Sequence, residues 1–143
     1  METVAYEELL KQEGKIITHV VGWSMLPLLY DRESIVIVES ADRIPPGRGD
    51  VVLYKTGDRY LLHRILHVRE DEYLIRGDNT QVMEHIPKHS VLATMTGFYR
   101  HPDSRLISRN SLSYGIYRTL LPCIRVMHRN KSRIKRVIKK FLQ

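Results

Sequence analysis

The sequence predicts a mainly β domain that opens with a short helix and closes with a basic helical extension. Three observations lead there. Six short runs rich in Val, Ile, Leu and Tyr recur between residues 15 and 99, each bounded by Gly, Pro or Asp turns. Apolar residues at helical spacing occur only near the two ends. The formal charge of +7 is also concentrated: Cys123 to Gln143 carries eight Lys and Arg and no acid, so the preceding residues are close to neutral at −1.

The elements follow in order. Thr3 can cap a helix through about Glu13, with Tyr6, Leu9 and Leu10 on one face and Gly14 as its stop. Residues 15–21 (KIITHVV) form a β-branched strand, and residues 34–39 (SIVIVE) a second whose continuous apolar run implies burial on both faces. The stretch from Ile44 to Asp50 is a rigid Pro/Gly connection into a third strand, 51–55. A hairpin loop at 56–59 leads to a fourth at 60–68, followed by strands at 73–76 and 91–99, with Gly97 suited to a bulge. After Pro102, Ser111 or Ser113 can start a helix through Leu120. Pro122 interrupts it, and a second helix runs from about Ile124 to Leu142 with Ile134, Val137, Ile138, Phe141 and Leu142 on one stripe. The chain of 143 residues thus divides into a β body, 1–100, and a basic helical extension, 101–143.

Composition narrows the function. Cys123 is the only cysteine, so no internal disulfide can form and a cysteine-based metal site is not expected. No stretch is apolar enough to span a bilayer, and the first residues lack the pattern of a secretory signal. The expectation is a cytoplasmic protein, with any membrane or nucleic-acid contact resting on the tail alone.

The chemistry-bearing residues centre on Ser24, which lies between Trp23 and Met25 and just before Leu26-Pro27, where a β-branched run turns sharply. A hydroxyl on an apolar turn becomes a nucleophile if a base adjoins it. His63 is the outstanding candidate because it sits inside an apolar strand, Leu61 to Leu66. Alternation puts Leu61, His63, Ile65 and His67 on one face, with Leu62, Arg64 and Leu66 on the other. Periodicity alone favours a histidine satisfied by a backbone carbonyl at a strand edge. Lys55 is the one lysine near enough in the sequence pattern to compete. Arg48-Gly49-Asp50 and Arg76-Gly77-Asp78 both spell RGD, and both read as Gly-Asp turns.

Four stretches together resemble a known family. Gly22-Trp23-Ser24-Met25-Leu26-Pro27-Leu28-Leu29 is similar to the serine box of signal peptidase I and the related LexA-like self-cleaving repressor peptidases. Gly49-Asp50-Val51-Val52-Leu53-Tyr54, His63-Arg64-Ile65-Leu66 and Gly77-Asp78-Asn79-Thr80 resemble their next three boxes, in the same order. The resemblance implies their folded β-sheet domain and a serine peptidase with Ser24 as nucleophile. Bacterial members carry lysine in the base box, and the endoplasmic-reticulum and archaeal-like branch carries histidine, so it implies His63 as base; Arg64 stays protonated and cannot serve. Asp78, or Glu84 a few residues beyond it, would orient His63, with Asp78 also suited to fixing its loop through backbone N–H groups. Trp23, Met25 and Leu26 would wall a pocket for the small residues that the family favours before the cut. Some bacterial members carry an assisting serine where this chain has Gly22.

The resemblance implies no cofactor and no metal. Its expected substrate is a leader or precursor peptide. With no anchor helix in view, an exported signal sequence fits less well than a peptide matured inside the cell, and with only a short helix before Gly22, repressor-style self-cleavage is not expected. The competing reading is a catalytically inactive peptide-binding or membrane-surface adaptor. For residues 124–143 three uses stay open: docking of the apolar stripe on the body, binding to an anionic membrane surface at its inner face, or binding to nucleic acid or an acidic partner, against which the lack of interleaved aromatics argues.

Overall fold

A computed structural model describes residues 5–141. The elements are α1 (Tyr6–Glu13), β1 (Lys15–His19), β2 (Ile35–Ser40), β3 (Val51–Thr56), β4 (Arg59–Val68), β5 (Glu72–Arg76), β6 (Glu84–Pro87), a single 3₁₀ turn (Lys88–Ser90), β7 (Val91–Tyr99), β8 (Ile107–Ser108) and α2 (Leu112–Phe141). The protein is therefore mainly β, with a short N-terminal helix and a longer C-terminal one. All eight strands form one antiparallel sheet in the order β1-β2-β7-β3-β4-β5-β6, with β8 added beside β7.

The sheet rolls up on itself. β6 is four strand positions from β7, roughly 19 Å in a flat sheet, yet only Lys88–Ser90 separates Pro87 from Val91. That link spans at most about 14 Å, so β7, β3, β4, β5 and β6 must curl around their shared face. Val52, Tyr54, Ile65, Tyr73, Ile75, Ile86 and Val91 fill the enclosed space as one core. A larger core lies on the other face, where Val51, Leu53, Ala93 and Met95 meet Leu10 of α1, Met25, Leu28 and Leu29 of the loop after β1, and Tyr114 of α2.

Several expectations shift in detail. Thr3, the expected cap of α1, lies outside the described residues; the helix follows Ala5, which makes no side-chain cap, and stops at Gly14 with φ +71°. β6 and β8 were not anticipated. β6 is four residues long and carries His85 and Pro87, so its composition hides its pairing with β5. A bulge at 66–67 pairs His67 with Leu74 instead of keeping the phase of Ile65 and Ile75, so His67 leaves the face of His63. Two further shifts in register occur, one beside Gly97, between Ile37 and Val38 of β2, and one between Leu53 and Tyr54 of β3.

The largest correction concerns the C-terminal helices. The expected break at Pro122 does not occur, and α2 runs through it as a single helix of 30 residues. Proline removes one hydrogen bond, to the Arg118 carbonyl, and clashes locally. Pro122 is exposed, so water can serve the freed carbonyl, and contacts hold the helix on both sides of it. Before the proline, Tyr114 is buried in the larger core and the Tyr117 hydroxyl donates to Asp78 (2.9 Å); after it, Arg125 donates to the Gly77 carbonyl (3.0 Å). The expected stripe at Ile134, Val137, Ile138, Phe141 and Leu142 lies outside the residues whose side chains are described.

A buried ion pair ties α2 to the sheet. Arg64 of β4 donates from Nε and Nη2 to the two carboxylate oxygens of Asp78, each at 2.8 Å. Its Nη1 donates to the Gly49 carbonyl and the Tyr114 hydroxyl, both at 2.8 Å. The Arg64 and Asp78 side chains are 3% and 0% exposed. Removing one partner strands a charge in low dielectric, so Asp78→Asn is expected to cost ~3–5 kcal/mol of stability, read as a lower urea midpoint. Arg64→Met combined with Asp78→Leu should recover part of that loss.

Candidate active site

The loop between β1 and β2 presents Ser24. Gly22, at φ +101°, turns the chain there, and its N–H donates to Asp31 (2.7 Å). Met25, Leu28 and Leu29 anchor the loop from beneath, and Arg100 donates to the Pro27 carbonyl (3.0 Å). The loop after β5 clasps it from the side: Asn79 donates its backbone N–H to the Ser24 carbonyl (2.8 Å) and its side chain to the Trp23 carbonyl (3.1 Å). Ser24 itself is half-buried. Neither its hydroxyl nor its backbone N–H is hydrogen-bonded among the described residues.

Strand register relates Ser24 to His63 through Gly77. The last paired positions of β4 and β5 are Arg64 and Arg76, so Gly77 leaves the sheet level with His63. Cross-strand partners project to the same face. A Cβ built on Gly77 would lie 2.6 Å from the Ser24 carbonyl oxygen and 3.1 Å from the Ser24 Cβ. Ser24 thus stands on the Gly77 backbone, one strand from His63. No hydrogen bond joins the two side chains among the described residues.

His63 lies at the mouth of the rolled core, 8% exposed. Its Nδ1 is 2.8 Å from the Tyr54 hydroxyl and 3.3 Å from Glu84 Oε2, and the Tyr54 hydroxyl donates to that same carboxylate oxygen in a short bond. Tyr54 has one proton and spends it on Glu84, so the 2.8 Å contact needs a proton on His63 Nδ1. In the neutral ring Nε2 is then a bare lone pair. That nitrogen has no hydrogen-bond partner among the described residues and is not sealed from solvent. Burial pushes the imidazole below its ordinary 6.5 and outweighs the opposing pull of Glu84. Burial, helped by Glu84, also raises the Tyr54 hydroxyl, so it remains a donor. The arrangement is a neutral imidazole with one nitrogen fixed and the other free to take a proton.

The expected site residues separate into two groups. Glu84 reaches His63, directly and through Tyr54. Asp78 does not: Arg64 and Tyr117 occupy its carboxylate, so it neither orients His63 nor bonds backbone N–H groups as expected. Burial in that network also removes Asp78 from any RGD surface. Trp23 is 65% exposed and Leu26 borders the groove described below, whereas Met25 is 1% exposed and belongs to the core, so it cannot wall a pocket. Lys55 projects from the opposite face of β3 to pair with Glu7 (2.7 Å), and that bond raises its pKa, so it offers no neutral amine to Ser24. Tyr54 escaped notice because it reads as one more apolar strand residue; its phase with His63 was the available signal.

Set beside models of protein families and curated proteins, the chain matches none. The Gly77 contact can be checked directly. Gly77→Ala forces a Cβ into the Ser24 backbone and is expected to displace the serine loop. Amide shifts around Ser24 and Asn79 should move by NMR while the unfolding transition stays cooperative; unchanged shifts would mean that the loop does not rest on Gly77.

Proposed function

We propose that this chain is a serine endopeptidase of the signal-peptidase type, histidine branch, with Ser24 as nucleophile and His63 as general base. The observation that carries the reading is the neutral His63 ring, with Nδ1 tied to the Tyr54–Glu84 pair and Nε2 unpartnered among the described residues, one strand from the Gly77 backbone on which Ser24 rests. The four sequence boxes and the rolled antiparallel sheet support the corresponding fold.

In this reaction the Ser24 Oγ attacks a peptide carbonyl as its proton passes to His63 Nε2. The unpartnered Ser24 N–H stabilises the oxyanion. The tetrahedral intermediate collapses, its C–N bond breaks, and His63 returns the proton to the leaving amine. Water, deprotonated by His63, then attacks the acyl-enzyme and releases Ser24. Glu84, through Tyr54, keeps Nδ1 protonated and the ring oriented. Trp23 and Leu26 border the bound peptide, an extended leader or precursor segment with small residues before the cut.

Peptide libraries with small residues at alternate positions, incubated with the protein and read by mass spectrometry, test this. Wild type should cut, and Ser24→Ala and His63→Ala should each lower kcat/KM by about a thousandfold or more. Equal cleavage by Ser24→Ala would end the serine mechanism, and no cleavage by wild type would favour the inactive adaptor.

The pH profile adds a second check. The base must be neutral, and His63 loses its proton below 6.5, so kcat/KM should rise with pH along a limb centred below that value. Glu84 holds the His63 pKa up against burial. Glu84→Gln should therefore move the limb to still lower pH while reducing the plateau.

A different observation bears on where the protein works. Among the described residues no helix is long and apolar enough to cross a membrane. On α2, however, Leu112, Ile116, Leu120 and Met127 are 81%, 51%, 48% and 61% exposed and follow one another at helical spacing into the acid-free basic stretch. Charge complementarity selects anionic lipid headgroups as the surface this helix lies on. Vesicles containing phosphatidylserine should bind the protein in a salt-sensitive way, and phosphatidylcholine vesicles should not. Binding that survives deletion of residues 124–143 would overturn this assignment.

A further inference from the structure

Beside the Ser24 loop lies a groove of about 600 Å³. Leu26 and Pro27 form one wall, residues 78–81 the floor and the middle of α2 the other wall. Its charge is one-sided. Arg76, Arg125, His128 and Arg129 border it, and its one acid, Asp78, is already engaged by Arg64 and Tyr117.

Arg76 is the unusual member. It is half-buried at the end of β5, yet its side chain makes no hydrogen bond or ion pair among the described residues, and its Nε is fully buried without a partner. A guanidinium drawn partly out of water without a counter-ion is costly unless an anion visits it. Arg125, across the groove, donates to the Gly77 carbonyl and lies 3.8 Å from Asp78, with its own Nε buried and unpartnered. Two arginines in this setting suit the planar, two-oxygen geometry of a carboxylate.

We infer that this groove is a subsite for a carboxylate of the bound peptide, with Arg76 as its principal partner and Arg125 as the second. The inference rests on the peptidase reading for its substrate class and adds an acidic requirement to it. Leu26 is two residues from Ser24, ~7 Å along the chain at most, and an extended peptide advances ~3.3 Å per residue. The groove wall therefore begins about two residues of extended peptide from the cut bond. The carboxylate is either an Asp or Glu side chain or the free C-terminus of a short product.

The test separates this subsite from catalysis by measuring binding to the uncleaving Ser24→Ala protein. Fluorescein-labelled, alanine-rich peptides carry one Glu or one Gln at each successive position and end in an amide; a further set is all-neutral with a free C-terminus. Fluorescence anisotropy should show one position, or the free C-terminus, at which the carboxylate tightens binding about tenfold or more. Arg76→Gln should abolish that preference, and Arg76→Glu should turn it towards a Lys-bearing peptide. Because Arg76 has no partner to lose among the described residues, the unfolding midpoint should not fall in Arg76→Gln.

Equal affinity for acidic and neutral peptides at every position and terminus overturns the subsite, as does an acidic preference that survives Arg76→Gln. Acid-dependent binding in a protein whose wild type cuts nothing would keep the subsite and defeat the peptidase reading. Cleavage indifferent to acidic residues would do the reverse.

Discussion

The Arg64–Asp78 ion pair is the constraint on which the rest of the molecule depends. Arg64 is on β4, Asp78 is on the loop after β5, and the hydroxyls of Tyr114 and Tyr117 on α2 complete the shell around them. Arg64, Asp78 and Tyr114 are almost wholly desolvated and Tyr117 is half-buried, so the network is stable only when all of its hydrogen bonds are made. Making them fixes three things together: the path of Gly77, the seat of α2 and, through Gly77, the height of the Ser24 loop. Burial and the Asp78 carboxylate both hold the Tyr117 hydroxyl in its protonated, donating form.

One residue earlier on β4, strand alternation sends His63 to the opposite face. There the rolled core replaces an ion pair with a neutral relay of Tyr54 and Glu84. The two neighbours divide the work. Arg64 is held charged by its acid, and His63 is kept neutral by burial while its acid only orients it. The division follows from geometry. Glu84 sits on β6, which reaches the concave face because a three-residue 3₁₀ turn forces the sheet to close. Its side chain, 36% exposed, remains at the rim, where it aligns the ring without fully protonating it.

How much of this was legible in the sequence depended on whether the signal was local. α1, six of the strands and the turn carrying Ser24 were readable because β-branched runs and Gly/Pro punctuation are local signals. His63 stood out because a polar ring in an apolar strand demands an explanation. β6 was hidden because its partner, β5, supplies the order that Glu-His-Ile-Pro lacks. The role of Asp78 was misread because the Gly-Asp-Asn-Thr loop suggests backbone capping, and only the three-dimensional approach of Arg64 reveals a different partner. Continuity of α2 through Pro122 was equally non-local: local propensity ends the helix, and tertiary anchors at Tyr114, Tyr117 and Arg125 carry it on.

The same anchors make α2 more than an appendage. Its first turns enter the larger core, its middle supplies Arg125 to the Gly77 carbonyl and to one wall of the groove, and its far end carries the acid-free run of Lys and Arg. On the proposed reading, a peptide entering the groove meets the serine loop on one side and this helix on the other. Arg125 and Ser24 meet on the same stretch of backbone, because Gly77 has no side chain to hold them apart.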